Sequence, residues 1–177
     1  MRSKRTIYLA LLLVVVLAFV ARQMYYAGKW CWHKDDQAGF ALGYPATWFQ
    51  IHFYHCSTCQ QVNLFVMDVP VIYTEILRVY SAKDIDEPRW RGKSFGEWII
   101  HQNSKHIRVL SRREVHVGLH SYPGVDILYE DDTFRGRIIT LHHSRRVYAI
   151  EMMATKKKWN KANTVFDKIL KTFDFLE

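Results

Sequence analysis

The sequence lacks the short motifs by which many enzyme classes are recognised. It contains no nucleophile elbow, no glycine-rich loop that would hold a phosphate and no helical zinc-protease motif. No residue pattern therefore supports a hydrolytic enzyme. The chain also has no internal repeat, no low-complexity tract and no recognition module for nucleic acid. A composition of 49% hydrophobic and 15% aromatic residues excludes a disordered chain.

Cysteines are few and odd in number, namely Cys31, Cys56 and Cys59. In an oxidising compartment the simplest interpretation is one disulfide and one spare thiol. We predict the disulfide Cys56–Cys59 at the tip of a hairpin. Three alternatives remain: a disulfide from Cys31 to either of the other two, inert thiols, and a redox pair.

A metal site is the remaining alternative for the same segment. Two imidazoles and two thiols lie within eight residues: His52, His55, Cys56 and Cys59. These ligand types suit zinc or copper. On a strand, however, side chains three residues apart point to opposite faces. A four-ligand site would need a loop conformation or help from His33 and Cys31, so we predict no metal and no cofactor.

An unbroken apolar run, Ile7 to Ala21, follows a basic N-terminus. The run is short for a membrane span of ~20 residues, unless the bilayer interface reaches the residues up to Tyr26. Residues 1–26 are therefore predicted to be a signal-anchor or, with cleavage near Ala18, a signal peptide. The Lys/Arg bias predicts an extracytoplasmic domain on a single-pass membrane protein, or a secreted or periplasmic domain if the leader is cleaved.

The net charge of +8 is partly local, because Arg2, Lys4, Arg5 and Arg22 belong to the leader. The remaining excess of about four positive charges favours acidic proteins or anionic headgroups as partners, and not nucleic acid. Aromatic and basic side chains outside the leader are candidates for contact with a partner or the membrane. They are Trp30, Trp32, Arg89, Trp90, Arg91, Arg145 and Arg146.

After a predicted linker at residues 27–38, the pattern indicates short strands and two helices. Strands are predicted at 40–44, 48–54, 62–69, 75–82, 108–119, 125–130, 137–143 and 146–154, with a turn at 121–124. A capping box, Ser94 to Glu97, starts a helix that runs to about Lys105. Apolar residues at spacings of three and four predict a last helix over 159–173. This order indicates an α+β fold in which helices cover an antiparallel sheet.

The order of these landmarks resembles the PsbP-like superfamily of α/β/α sandwiches, named after an extrinsic subunit of photosystem II. The matching motifs are Phe40-x-Leu42-x-Tyr44-Pro45-x-x-Trp48, Gly118 to Gly124 with the strand Val125–Glu130 that follows, the last long strand Arg146–Ala154, and the closing Val165 to Phe173. The resemblance spans roughly residues 39–176 of a domain taken as 39–177. The chain differs from the photosynthetic member in its hydrophobic N-terminus and its Cys-x-x-Cys.

The resemblance implies a non-catalytic accessory module that docks on a larger, often membrane-bound assembly, and it carries over no catalytic residues. We therefore expect a membrane-tethered, exported module that binds a protein partner. A different class of function, a zinc- or copper-binding or thiol-handling protein that uses the Cys56–Cys59 loop, is the alternative.

Overall fold

A computed structural model of the protein describes residues 2–53, 61–66, 75–83, 94–103 and 106–176. The helices in these ranges are α1 (Arg2–Tyr26), α2 (Phe95–Asn103) and α3 (Trp159–Thr172). The strands are β1 (Trp30–Asp35), β2 (Phe40–Pro45), β3 (Phe49–Phe53), β4 (Gln61–Val66), β5 (Glu75–Lys83), β6 (Arg108–Val117), β7 (Tyr122–Glu130), β8 (Phe134–His143), β9 (Arg146–Thr155) and β10 (Asp174–Phe175).

The strands form two antiparallel sheets. The larger sheet has seven strands in the order β3-β4-β5-β9-β8-β7-β6, and the smaller has the order β1-β2-β10. Helix α2 packs on one face of the large sheet, and α3 with the small sheet packs on the other. The architecture is an α+β sandwich of helix, sheet and helix, as the sequence predicts.

Strand β9 lies in the middle of the large sheet and is covered on both faces. Tyr148, Ile150 and Met152 belong to the core under α3, whereas Val147 and Ala149 belong to the core under α2. Because successive side chains of a strand point to opposite faces, a strand buried on both sides must be apolar at both parities. The prediction of a doubly covered central strand over 146–154 is confirmed.

The two domain helices form for the reasons that the sequence indicates. In α2, the Ser94 amide donates to Glu97 Oε2 at 3.0 Å, and the Glu97 amide donates to Ser94 Oγ at 3.3 Å. These two bonds are the reciprocal capping box. In α3 the apolar stripe faces the sheet, with Trp159, Phe166 and Ile169 buried.

Residues 27–38, predicted as a linker, contain strand β1. It pairs with β2 from Trp30 opposite Pro45 to Asp35 opposite Phe40. The inward side chain of His33 is buried, and the inward Cys31 packs against the core. The sequence indicates a linker here because the outward residues of the strand are aromatic and charged, which hides the alternation.

The hairpin between β6 and β7 turns earlier than predicted, at 118–121 instead of 121–124. Gly118 (φ 82°) and Ser121 (φ 59°) supply the left-handed conformations that the turn requires. A β-carbon on Gly118 would lie 2.3 Å from the Phe173 carbonyl oxygen, so no side chain fits there. Pro123 lies near the start of β7, opposite His116.

Strand β10 was not predicted. Asp174 and Phe175 pair with Ala41 and Phe40 of β2, and the Leu176 amide donates to the Gly39 carbonyl oxygen at 2.9 Å. This two-residue strand is too short for a periodic signal. It attaches the residues after α3 to the small sheet.

Candidate functional site

The predicted cysteine and metal segment is only partly described. His52 lies in β3, while His55, Cys56 and Cys59 lie outside the described residues. Their disulfide and metal assignments therefore stay predictions. Among the described residues, Cys31 carries a free thiol, and no group of three or more His, Cys, Asp or Glu side chains could hold a metal ion.

The predicted contact residues Trp30 and Trp32 share the outward face of β1. Their exposed fractions are 39% and 62%, which is high for such large apolar side chains. Lys34 follows on the same face and is exposed. Strand β1 is at the edge of the small sheet as described, so these three side chains form one open strip. We call this strip the tryptophan face.

The C-terminal end of helix α1 is bound to the domain beside the tryptophan face. Arg22 donates to the carbonyl oxygens of Thr47 (3.3 Å) and Ala46 (3.4 Å), and Gln23 donates to that of Thr47 (3.4 Å). The Lys29 ammonium lies 3.6 Å from the centre of the Tyr25 ring, as a cation–π contact. The helix and the small sheet therefore meet through several polar contacts.

Arg145 and Arg146 lie at the other end of the small sheet. Ser144 (φ 47°) and Arg145 (φ 60°) form the two-residue turn between β8 and β9, which we call the arginine turn. Next to it, the His143 ring stacks on Phe175 with 4.1 Å between centroids, and Phe175 pairs with Phe40 of β2.

The predicted contact residues therefore do not form one patch. Trp30 is at the start of β1, whereas the arginine turn is near the Asp35 end, about 17 Å further along at ~3.3 Å per residue. The remaining predicted contact residues, Arg89, Trp90 and Arg91, lie outside the described residues.

A polar cluster near the arginine turn was missed by sequence reasoning. Asp174 Oδ1 accepts a hydrogen bond from the Tyr122 hydroxyl at 2.8 Å and lies 2.9 Å from His120 Nδ1. Burial alone would raise the pKa of Asp174, but the bonds from His120 and Tyr122 outweigh it and hold that pKa below its ordinary value. Because the partners are more than fifty residues apart, no local pattern signals the cluster.

A buried carboxylate joins three strands on the α2 side. Glu151 accepts hydrogen bonds from the hydroxyls of Tyr129 (2.5 Å) and Tyr80 (2.9 Å) and from Arg78 Nη1 (3.3 Å). Burial, reinforced by the negative charge of Glu151, raises the pKa of both tyrosines. A β-carbon on Gly136 would lie 2.4 Å from Tyr129 Cζ, so the glycine makes room for that ring.

A second buried network fastens α3 to the sheet. Arg137 donates to both oxygens of Asp126 (3.1 and 2.8 Å) and to Asn163 and Asp167 of α3 (2.7 Å each). Arg113 of β6 shares Asp126 at 3.0 Å. Burial would lower the pKa of Arg137, but its bonds to the two aspartates outweigh burial and raise it. This saturated arrangement is typical of a structural ion pair.

The described fold resembles solved structures at low sequence identity. The solution structure of cyanobacterial PsbP, CyanoP, from Synechocystis sp. PCC 6803 superposes with a TM-score of 0.60 and 12% identity, over 82% of this chain and 92% of that one. LpqN of Mycobacterium tuberculosis superposes with a TM-score of 0.51 and 11% identity, over 86% and 95%. The chain has a PsbP-like fold. No protein-family model and no curated protein matches its sequence.

Two open grooves flank the large sheet of this PsbP-like domain. One, of about 330 Å³, lies between β6 and α3, with Val117, Arg137 and Leu170 in its lining. The other, of about 560 Å³, lies on the α2 side and includes His116 and His142. His143 stacks on Phe175, so His142 and His143 face opposite sides, as strand alternation predicts.

Proposed function

We propose that this protein is a membrane-tethered, exported PsbP-like module that binds a protein partner and performs no catalysis. The observation that carries the proposal is the attachment of an apolar helix to the PsbP-like domain. Residues Thr6–Tyr26 form a helix of 21 residues that is long and apolar enough to cross a membrane or to act as a signal sequence. Arg22 and Gln23 near the end of that helix bind the domain directly.

The direction of insertion follows from charge. Arg2, Lys4 and Arg5 lie together directly before the apolar run, and we take this compact basic flank as the one that stays in the cytoplasm. On this proposal the domain lies on the extracytoplasmic side. We propose the uncleaved anchor, although cleavage near Ala18 would leave the bonds of Arg22 and Gln23 to Ala46 and Thr47 in place, so the mass of the chain distinguishes the two forms.

The structural neighbours are consistent with an accessory role at an envelope or membrane. CyanoP is a cyanobacterial PsbP, and LpqN is described as involved in cell envelope biogenesis. Low identity limits the likeness to fold, so the docking role is part of our proposal and is not transferred from these two proteins.

The chemistry of the buried charges also favours binding over catalysis. The carboxylates of Glu151 and Asp126 are each held by two or more donors from neighbouring strands. Groups held in this way stabilise a fold and are poorly placed to exchange protons with a substrate. The arginine turn is exposed at Arg145, and the half-buried Arg146 follows at the start of β9, so two cations lie together there and suit contact with an acidic surface of a protein partner.

The test is co-purification of the full chain in mild detergent through an affinity handle at the C-terminus, with mass measurement of the same sample. We expect a partner to elute with an uncleaved chain. Arg145→Glu should weaken its retention, whereas Lys157→Glu should not. Both residues are exposed, and they flank opposite ends of β9, about 30 Å apart. A chain that elutes alone, or equal loss with both variants, would contradict the proposal.

A further inference from the structure

We infer that the tryptophan face of β1 lies in the headgroup layer of an anionic membrane, so that the small sheet rests against the bilayer. The inference depends on the proposed function, because it needs α1 to be in the membrane. It assigns Trp30 and Trp32 to lipid and leaves the arginine turn for the protein partner.

The path of the chain brings β1 to the bilayer surface. Helix α1 ends at Tyr26, and Gly28 (φ 74°) turns the backbone in a left-handed conformation that suits a residue after a helix end. Trp30 begins β1 only four residues after the helix and pairs with Pro45. Pro45 adjoins Ala46, which accepts the hydrogen bond from Arg22. The helix end is therefore tied to the tryptophan end of the hairpin.

The side chains on this face suit an interface. Trp30 and Trp32 are exposed on the same face of β1. Cys31, which lies between them, and His33, which follows them, point inward. Tryptophan is enriched at membrane–water boundaries, because its ring is apolar and its N–H still reaches polar groups. Tyr25 at the helix end is also exposed, at 65%, and its ring contacts Lys29, one residue before Trp30.

Charge complementarity favours anionic lipid. From Met1 to Lys34 the chain contains no aspartate or glutamate, and Arg22, Lys29 and Lys34 flank the tryptophans along the sequence. Basic residues next to a membrane helix are attracted by anionic headgroups. The first acidic residues, Asp35 and Asp36, occur at the far end of the hairpin, where Lys34 pairs with Asp36 at 2.8 Å.

This distribution also predicts how the hairpin is tilted. Its tryptophan end is attracted to the headgroups, and its acidic end is repelled by them. The Asp35 end and the nearby arginine turn then point away from the bilayer. A partner could reach the arginine turn without displacing lipid.

The experiment uses the full chain in vesicles of phosphatidylcholine and phosphatidylglycerol, with brominated lipid as a quencher of tryptophan fluorescence. We compare the unmodified chain with Trp30→Phe/Trp32→Phe and with Trp98→Phe, which removes a half-buried tryptophan of α2. We expect the double variant to lose most of the lipid-quenchable emission and Trp98→Phe to keep it. Unchanged quenching in the double variant would overturn the inference.

Further measurements separate this inference from the proposed function. If alkaline extraction releases the chain from vesicles, the tether itself fails. If the chain stays but Trp30 and Trp32 are not quenched, only the contact with lipid fails. Quenching that is equally strong without phosphatidylglycerol would refute the anionic preference. Acrylamide in the aqueous phase quenches exposed tryptophans. If the tryptophans of β1 were protected from it only in membranes that contain other proteins, a protein and not lipid would cover β1.

Discussion

The arginine turn allows one residue's backbone and charge to be tested separately. Ser144 and Arg145 both have positive φ, at 47° and 60°, and connect His143 directly to Arg146. A two-residue hairpin of this kind requires left-handed backbone at both central positions, which Asn-Gly sequences adopt most easily. Here neither residue is glycine, so the turn is strained. We predict that Arg145→Gly stabilises the domain.

The change in the free energy of unfolding expected for Arg145→Gly is the difference between two opposing contributions. Left-handed backbone costs an L-residue about 1–2 kcal/mol. Glycine removes that cost, but its greater freedom in the unfolded chain takes back about 0.5–1 kcal/mol. We therefore expect the free energy of unfolding to rise by about 0.5–1 kcal/mol, and the Tm by about 1–4 °C for a chain of this size.

The assay is urea unfolding of the full chain in mild detergent, followed by tryptophan fluorescence. Arg146→Gly is the matched control, because it removes the same charge from a strand position that pairs with His143 and Lys83. We expect the control to lose about 0.5–1 kcal/mol. If Arg145→Gly destabilised the domain as much as Arg146→Gly does, the argument from backbone strain would be refuted.

Three further predictions concern the core, the response to acid and the thiols. Gly136→Ala puts a methyl group against the Tyr129 ring, and we expect urea unfolding to show a loss of about 1–3 kcal/mol; an unchanged midpoint would contradict this packing. Hydrogen bonds from two arginines lower the pKa of Glu130 from its ordinary 4.5 to about 2. The contribution of Glu130 to the free energy of unfolding is therefore complete above pH 4.5 and is lost as the pH falls towards 2. In Glu130→Gln the free energy of unfolding should depend less on pH between these values. Thiol counting on the oxidised chain should find one reactive thiol after denaturation, that of Cys31, with Cys56–Cys59 paired; three thiols, or a stoichiometric metal, would exclude the pairing.

Several elements were predictable because their causes are local. The spacing of Trp159, Phe166 and Ile169 defines the buried stripe of α3, and the capping box defines where α2 begins. Apolar residues at both parities of β9 predict burial on both faces, and the structure confirms it. Each of these signals is contained within a few turns or one strand.

The errors occurred where a partner strand decides the structure. Residues 30–35 become β1 because β2 pairs with them, and the two-residue β10 exists only because β2 has a free edge beside it. The turn between β6 and β7 is placed by Gly118 packed against the Phe173 carbonyl, which is distant in sequence. Local propensity cannot locate such contacts.

The candidate contact residues also show the difference between what a local pattern predicts and what distant strands decide. Composition singled out Trp30, Trp32, Arg145 and Arg146 as contact residues, but it could not tell that they lie at opposite ends of the β1–β2 hairpin. Their separation depends on strand register, which sets which residues of distant strands are neighbours. The proposed division into a lipid-facing end and a partner-facing end depends on that register.

By itself, the sequence determined the apolar N-terminal run, the α+β class and the faces that α3 and β9 bury, because hydrophobic periodicity acts over short distances. Only the tertiary structure decided which polar groups meet. Glu151 is held by tyrosines of two other strands, and Asp174 lies 2.9 Å from His120, which is 54 residues away in the sequence. Such clusters form because the packed sheet brings distant residues within hydrogen-bonding distance. No local pattern in the sequence predicts which residues these are.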